Sequence, residues 1–319
     1  MVTSSTIASP NMSGPYLAGI IPATLLPMNA DYSIAEEALE DYIQWLMKQR
    51  VGGLAVNVEV GEGPLLSHEE RIRVIKIVAS VVMGRVPIIA GVAANYTGDA
   101  MAQAVDAREA GASAIMIHPN YFFVGDDLPV EIPVTYYKAI GEAAKLPVVL
   151  FQLNRGLGGV EYSKGTLAEL ASLESVYAIK EASFDAKKFH ETVQLLRGLP
   201  KKISILTGND TFLLESFLLG VEGALIGFGS FETNKIAEMF DLVNNRRYDE
   251  AKEIADRLQP LANVLWGAPT RNRRARCKEA LAMMGVLSPR VVNVRPPQMP
   301  LDQEEKQRVK NALKKAHLL

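Results

Sequence analysis

Apolar residues fall in short unbroken runs along this chain, with little strict alternation. Residues 17–25, 53–58, 87–92, 113–117, 147–152, 176–180, 203–207 and 223–227 are each rich in β-branched or other apolar side chains. A strand with one wet face alternates polar and apolar positions, whereas a continuous run suits a strand buried on both faces, as in a parallel sheet. Between the runs, apolar positions recur at helical spacing. Leu39, Tyr42, Ile43 and Leu46 share one face after Ser33-Ile34-Ala35-Glu36, which reads as a capping box. Ser67-His68-Glu69-Glu70 repeats that signature ahead of Ile72, Ile75 and Val78. Asp185 is placed to cap a helix bearing Phe189, Val193 and Leu196, and Gly111 to end the helix spanning 101–110.

Eight strands alternating with helices form either a closed barrel or an open doubly wound sheet. The count of eight favours the barrel, and no dinucleotide-type glycine fingerprint follows the first run. From Lys235 onward the pattern is wholly helical, with proline breaks expected near Pro260, near Pro269 and across 289–300. The expected organisation is a loose, Ser/Thr-rich arm over 1–15, a (β/α)8 TIM barrel over 16–234 and a C-terminal helical extension over 235–319.

Composition narrows the function. The formal net charge is −2, so no global basic field draws the chain to nucleic acid or anionic lipid. No apolar run approaches the roughly 20 residues of a membrane helix, and the N-terminus lacks the pattern of a secretory signal. Cys277 is the only cysteine, which rules out an intrachain disulfide and fits a reducing cytoplasm. No constellation of metal ligands and no cofactor motif is evident. The expected partner is a small molecule.

Barrel active sites form where the strands end at their C-terminal side. Glu59, Val60, Gly61 and Glu62 follow the second run, and His118, Asn120 and Tyr121 the fourth. Phe151, Gln152 and Asn154 close the fifth, Lys180 the sixth, Gly208, Asn209 and Asp210 follow the seventh, and Gly227 the eighth. Lys180 follows the apolar Val176-Tyr177-Ala178-Ile179, where burial should depress an amine toward neutrality and leave it able to attack a carbonyl and form an imine. A lysine at a strand edge with its head in solvent is the alternative.

These residues carry a family resemblance. Tyr177-Ala178-Ile179-Lys180-Glu181-Ala182 resembles the Schiff-base lysine motif of the dihydrodipicolinate synthase/N-acetylneuraminate lyase family. The stretch from Gly61-Glu62 through Leu66-Ser67 to Glu69-Glu70-Arg71 resembles that family's segment after strand 2, Leu206-Thr207-Gly208-Asn209-Asp210 its segment after strand 7, and Pro87-Ile88-Ile89-Ala90-Gly91-Val92 its strand 3. The resemblance implies a TIM barrel with a helical C-terminal region, assembled as a homotetramer or dimer. It also implies class I lyase chemistry, in which Lys180 forms an imine with a 2-oxo acid such as pyruvate. Tyr121 matches a family tyrosine that reaches into a neighbouring subunit's proton relay, and the resemblance implies a catalytic role for it.

The sequence departs from the family in the parts that handle protons and anions. Glu59 and Val60 replace two hydroxyl residues, Phe151 replaces a proton-relaying tyrosine, and the family's P-x-R has become Asn154-Arg155-Gly156. Three readings follow: a class I lyase with another proton carrier, an imine-forming enzyme for a carbonyl compound other than pyruvate, or a repurposed scaffold that binds a small metabolite. Glu59 is the expected carrier, provided that a dry pocket raises its pKa. An ionised Glu59 would instead repel a substrate carboxylate by about 1–4 kcal/mol at 4 Å, unless it pairs with a basic residue such as Arg155. Val60, Gly61, His118, Phe151, Gln152, Asn154, Arg155, Gly208 and Gly227 are the expected substrate contacts. Asn209 and Asp210 are expected to cap the next helix, and the four arginines of 271–276 to form a surface or subunit-contact face.

Overall fold

In the computed structural model, residues 17–125 and 128–319 are described; the expected arm over 1–15 lies outside them. Eight parallel strands are laid down in chain order: β1 (Gly19–Pro22), β2 (Leu54–Val56), β3 (Ile88–Val92), β4 (Ala114–Ile117), β5 (Val148–Leu153), β6 (Val176–Ala182), β7 (Ser204–Thr207) and β8 (Gly223–Ile226). Each pairs with its sequence neighbour, and β1 pairs with β8. The ring is completed between β1 and β2 by a parallel bridge from Ala23 to Ala55, with Gly52 N donating to Ile20 O at 2.7 Å. This is a (β/α)8 barrel. Its strands are buried on both faces, which accounts for the unbroken apolar runs.

The outer ring consists of α1 (Glu36–Leu46), α2 (His68–Val82), α3 (Thr97–Glu109), α4 (Glu131–Ala144), α5 (Lys164–Ser172), α6 (Ala186–Gly198), α7 (Leu213–Leu218) and α8 (Thr233–Asn244). Residue 234, the expected barrel boundary, falls inside α8, which packs on β1 as the eighth barrel helix. Beyond it lie α9 (Tyr248–Leu265), α10 (Arg273–Met283) and α11 (Gln303–Lys315). Among the described residues no helix is long and apolar enough to cross a membrane.

Local signals acted unevenly. Ser67 and Glu70 form the full capping box of α2, and the Asp185 carboxylate accepts from Lys188 N at the start of α6. The box expected at Ser33 does not form. The Ser33 hydroxyl donates to Asp31 at 2.6 Å within a turn, and α1 starts at Glu36 without a side-chain cap. Pro260 lies inside α9 and does not end it.

Candidate active site

Strand periodicity decides which side chains enter the barrel mouth. On β5 and β6, Phe151 lies beside Lys180 and Gln152 beside Glu181. Phe151 and Lys180 line a cavity of about 280 Å³ at the C-terminal ends of the strands. Gln152 and Glu181, one residue on, face the helical layer. There Gln152 Nε2 donates to Glu181 at 3.2 Å and to Thr192 of α6 at 3.2 Å. Gln152 is therefore a structural group and not a substrate contact, because successive strand residues point to opposite faces. Glu181 is fully buried, and burial raises its pKa against hydrogen bonds from Asn209, Ser183 and Gln152.

Lys180 is 7% exposed, and its Nζ lies 4.7 Å from the Phe151 ring centroid. Burial pushes the amine down to about 8, the Asp210 and Glu59 carboxylates pull it back up, and the Arg273 guanidinium adds to the fall. Gly208 permits this placement: a Cβ there would stand 2.8 Å from Lys180 Cε. Across the eighth strand end, a Cβ on Gly227 would meet the Trp266 ring at 2.7 Å.

Asp210 does not cap α7, whose N-cap is Phe212. It turns into the cavity, 6% exposed, and accepts from Phe228 N at 2.7 Å. Burial pushes its carboxyl up to about 6, opposed by that N–H, by Lys180, by its own backbone N–H and by Arg273. Asn209 turns the other way and donates to Glu181 Oε2 at 2.9 Å, so it too is no helix cap.

Glu59 lines the same cavity but is not a raised-pKa base. Burial pushes it up, yet the guanidiniums of Arg274 and Arg273 outweigh burial and hold the carboxyl below its ordinary value. The Glu59 carboxylate accepts from Arg273 and, at 2.6 Å, is paired with Arg274, whose Nε also donates to the Glu59 carbonyl at 2.7 Å. Its partners are thus Arg273 and Arg274, not Arg155. One carboxylate against two guanidiniums leaves this cluster net positive.

The expected arginine surface face is mostly not one. Arg276 is fully buried and donates to Gly267 O, Ala268 O and the Glu305 carboxylate, while Arg273 forms part of the cavity wall with Trp266 and Thr270. The C-terminal region thereby reaches the barrel mouth.

Of the other expected contacts, Val60, Asn154, Gly208 and Gly227 line the cavity. Gly61 does not line it, and a Cβ there would stand 2.6 Å from Thr24 O. His118 packs edge-on against Phe151 at 5.4 Å and is not a wall of the cavity; burial above all drives its imidazole down to about 4, so it is neutral at physiological pH. Arg155 donates to Gly125 O and Glu161 O, away from Lys180. Tyr121 is 66% exposed and lies outside the cavity.

Known proteins share this fold and much of its sequence. The chain is 28% identical over 303 residues to the 4-hydroxy-tetrahydrodipicolinate synthase of Archaeoglobus fulgidus, covering 94% of this chain and 99% of that one. It is 30% identical over 298 residues to that of Neisseria meningitidis serogroup C, covering 93% and 98%. Among solved structures, it superposes with a TM-score of 0.85 and 28% identity on the chloride-inhibited dihydrodipicolinate synthase of Acinetobacter baumannii complexed with pyruvate, covering 95% of this chain and all of that one. The model of the dihydrodipicolinate synthetase family matches residues 16–316, and the chain belongs to that family, as a lyase of the class I aldolase-like kind.

Proposed function

We propose that the protein acts on a 2-oxo acid or a related carbonyl compound through an imine on Lys180, by aldol cleavage or condensation, hydratase-aldolase or dehydratase chemistry. The observation that carries this reading is the Lys180 amine, buried on the cavity floor and depressed to about 8. At neutral pH a usable fraction is unprotonated and nucleophilic. Attack on the carbonyl carbon gives a carbinolamine, and loss of water gives the iminium. That cation then accepts the electron pair of a neighbouring C–H or C–C bond. The relative whose structure holds pyruvate supports a 2-oxo acid as the ligand class.

Arg273 supplies the anion complement that the altered segment after β5 no longer offers. Its guanidinium lines the cavity, and Glu59 fixes its direction while leaving the cluster net positive. The repulsion expected from a bare Glu59 is thereby offset. A homo-oligomer, as the family resemblance implies, would cover the exposed Tyr121 and Phe122 with a second copy. Light scattering showing a monomer would remove that part of the reading. The lone buried Cys277 fits residence in a reducing cytoplasm.

The test is incubation with pyruvate and borohydride, read as intact mass, with Lys180→Ala as the control. A Lys180-dependent adduct is expected. If none forms with pyruvate or with aliphatic and aromatic aldehydes, the scaffold binds its metabolite without imine chemistry.

A further inference from the structure

After the imine forms, a proton must leave the adjacent carbon or a substrate hydroxyl and later return. The cavity wall contains four ionisable side chains among the described residues: Glu59, Lys180, Asp210 and Arg273. Lys180 is consumed as the imine. Arg273 stays protonated in proteins. Glu59 is locked as a carboxylate between two guanidiniums. Phe151 has no exchangeable proton, and His118 stands behind it, outside the wall.

We propose that Asp210 is the proton carrier of this enzyme, taking a proton from the lysine-bound substrate and giving it back. The proposal rests on the Schiff-base reading of Lys180. The Asp210 carboxylate lines the cavity from the turn after β7, with Gly208 as the small residue that brings this turn against the lysine stem. Phe228 N–H engages Oδ1, and a carboxylate offers a second oxygen for proton transfer. The charged and titratable groups around it are Lys180 from β6 and Arg273 and Cys277 from α10. The Phe228 N–H first, and then the cations, favour its ionised form while burial keeps it basic, which are the demands on a general base.

The step balances without a co-reactant. With pyruvate, the carboxylate takes a methyl proton, the C–H electron pair forms the C=C bond of an enamine, and the C=N π pair moves onto nitrogen. Return of a proton or deuteron from the carboxyl reverses these moves. In aldol cleavage the carboxylate takes the substrate hydroxyl proton as the C–C bond breaks. The bond's electron pair moves into the enamine, an aldehyde leaves, and the carboxyl then protonates the enamine carbon.

The experiment measures exchange of pyruvate methyl protons in D2O by NMR, divided by the amount of imine trapped with borohydride. Asp210→Asn keeps an acceptor for Phe228 N–H and is expected to retain the adduct. Its exchange per imine should fall by about 100-fold or more, the span usual for general base catalysis. Asp210→Glu should recover part of the loss. In the unmodified enzyme, exchange per imine should rise with pH through about 6, as the carboxyl ionises, and Asp210→Asn should lack that limb. No adduct in the unmodified enzyme, with pyruvate or with aliphatic and aromatic aldehydes, overturns the Schiff-base reading and this proposal together. An adduct with exchange in Asp210→Asn within threefold of normal overturns the proton role alone. So does an unmodified enzyme with no limb below neutrality, which keeps the test open if the variant does not fold.

Discussion

One part of the cavity wall is built by β6 and the turn after β7, and carries Lys180, Gly208 and Asp210. Another is built by the turn after β2 and the start of α10, and carries Glu59, Val60 and Arg273. The first matches the family's motifs residue by residue, and its lysine meets its glycine within a few ångströms. The second departs from the family at both Glu59 and Val60, and carries a guanidinium from beyond the barrel. The contrast separates two demands. The proposed imine needs a depressed amine and a nearby base, for which adjacent strand ends offer Lys180 and Asp210. Recognition of the rest of the substrate needs only shape and charge, which a remote segment can provide.

The sharpest break between the two parts is at Lys180. Lys180→Ala should abolish borohydride trapping, while Arg273 variants should only weaken it. In the unmodified enzyme the trapping rate should climb with pH through about 8, because the neutral amine is the nucleophile and deprotonation creates it. A rate still climbing about tenfold per pH unit at pH 9, with no levelling, would mean that the amine is not depressed. The stability consequence has the same sign. An amine whose folded value lies below its unfolded one binds fewer protons in the folded state, so this group's contribution rises with pH between about 8 and its ordinary value.

The second part hangs on a buried pair. Lys278 of α10 and Glu62, at the end of the turn after β2, are fully buried against each other, and Lys278 also donates to Asn293 O. Lys278→Met would leave a carboxylate buried without its partner and should lower stability by about 3–5 kcal/mol. The denaturation midpoint measures this. The double variant Glu62→Gln/Lys278→Met should recover much of the loss, since both charges are gone. If the single change costs nothing, α10 is not anchored to the barrel mouth in this way.

Arg273→Ala comes next. Removing one charge-assisted contact should raise the pyruvate concentration for half-maximal trapping by about 10- to 100-fold. Arg273→Lys should restore charge but not the planar fork that Glu59 holds. An unchanged half-saturation would assign the anion site elsewhere.

How much of this was readable in the chain follows from the range of each interaction. Parallel strands are buried on both faces, so Val148 to Phe151 and Val176 to Lys180 announce themselves as apolar runs. Lys180 stood out because its cost is set by its immediate neighbours. Capping at Ser67 was legible for the same reason, whereas Ser33 failed because Asp31 competes for its hydroxyl within the same turn. A polar pair before a helix usually supplies its cap, but Thr211 and Phe212 separate Asp210 from Leu213, the first residue of α7, and Asp210 turns to the cavity instead. Pairing of Glu59 with a basic residue is open in the sequence, but its partners lie more than 200 residues away, and no local pattern announces which they are. Gln152 was misassigned by one strand position, which suffices to exchange the cavity for the helical layer.

The smallest effect is expected at Arg155, and it bears directly on the contrast. The family places a substrate-binding arginine in this segment, and here the motif is displaced. Arg155 begins the short turn Arg155–Leu157 after β5, where Asn154 and Leu157, but not Arg155, border the cavity. Its guanidinium donates to the carbonyls of Gly125 and Glu161 and so ties the segment after β5 to neighbouring loops. Arg155→Ala removes loop contacts without touching the cluster around Glu59. A surface change of this kind is usually worth within about 0.5 kcal/mol, so half-saturation by pyruvate should move by less than about twofold. A shift of tenfold or more would show that Arg155 swings into the cavity when substrate binds. The fifth strand end would then still hold the family's anion anchor, and the division between an inherited chemical wall and a rebuilt recognition wall would fail.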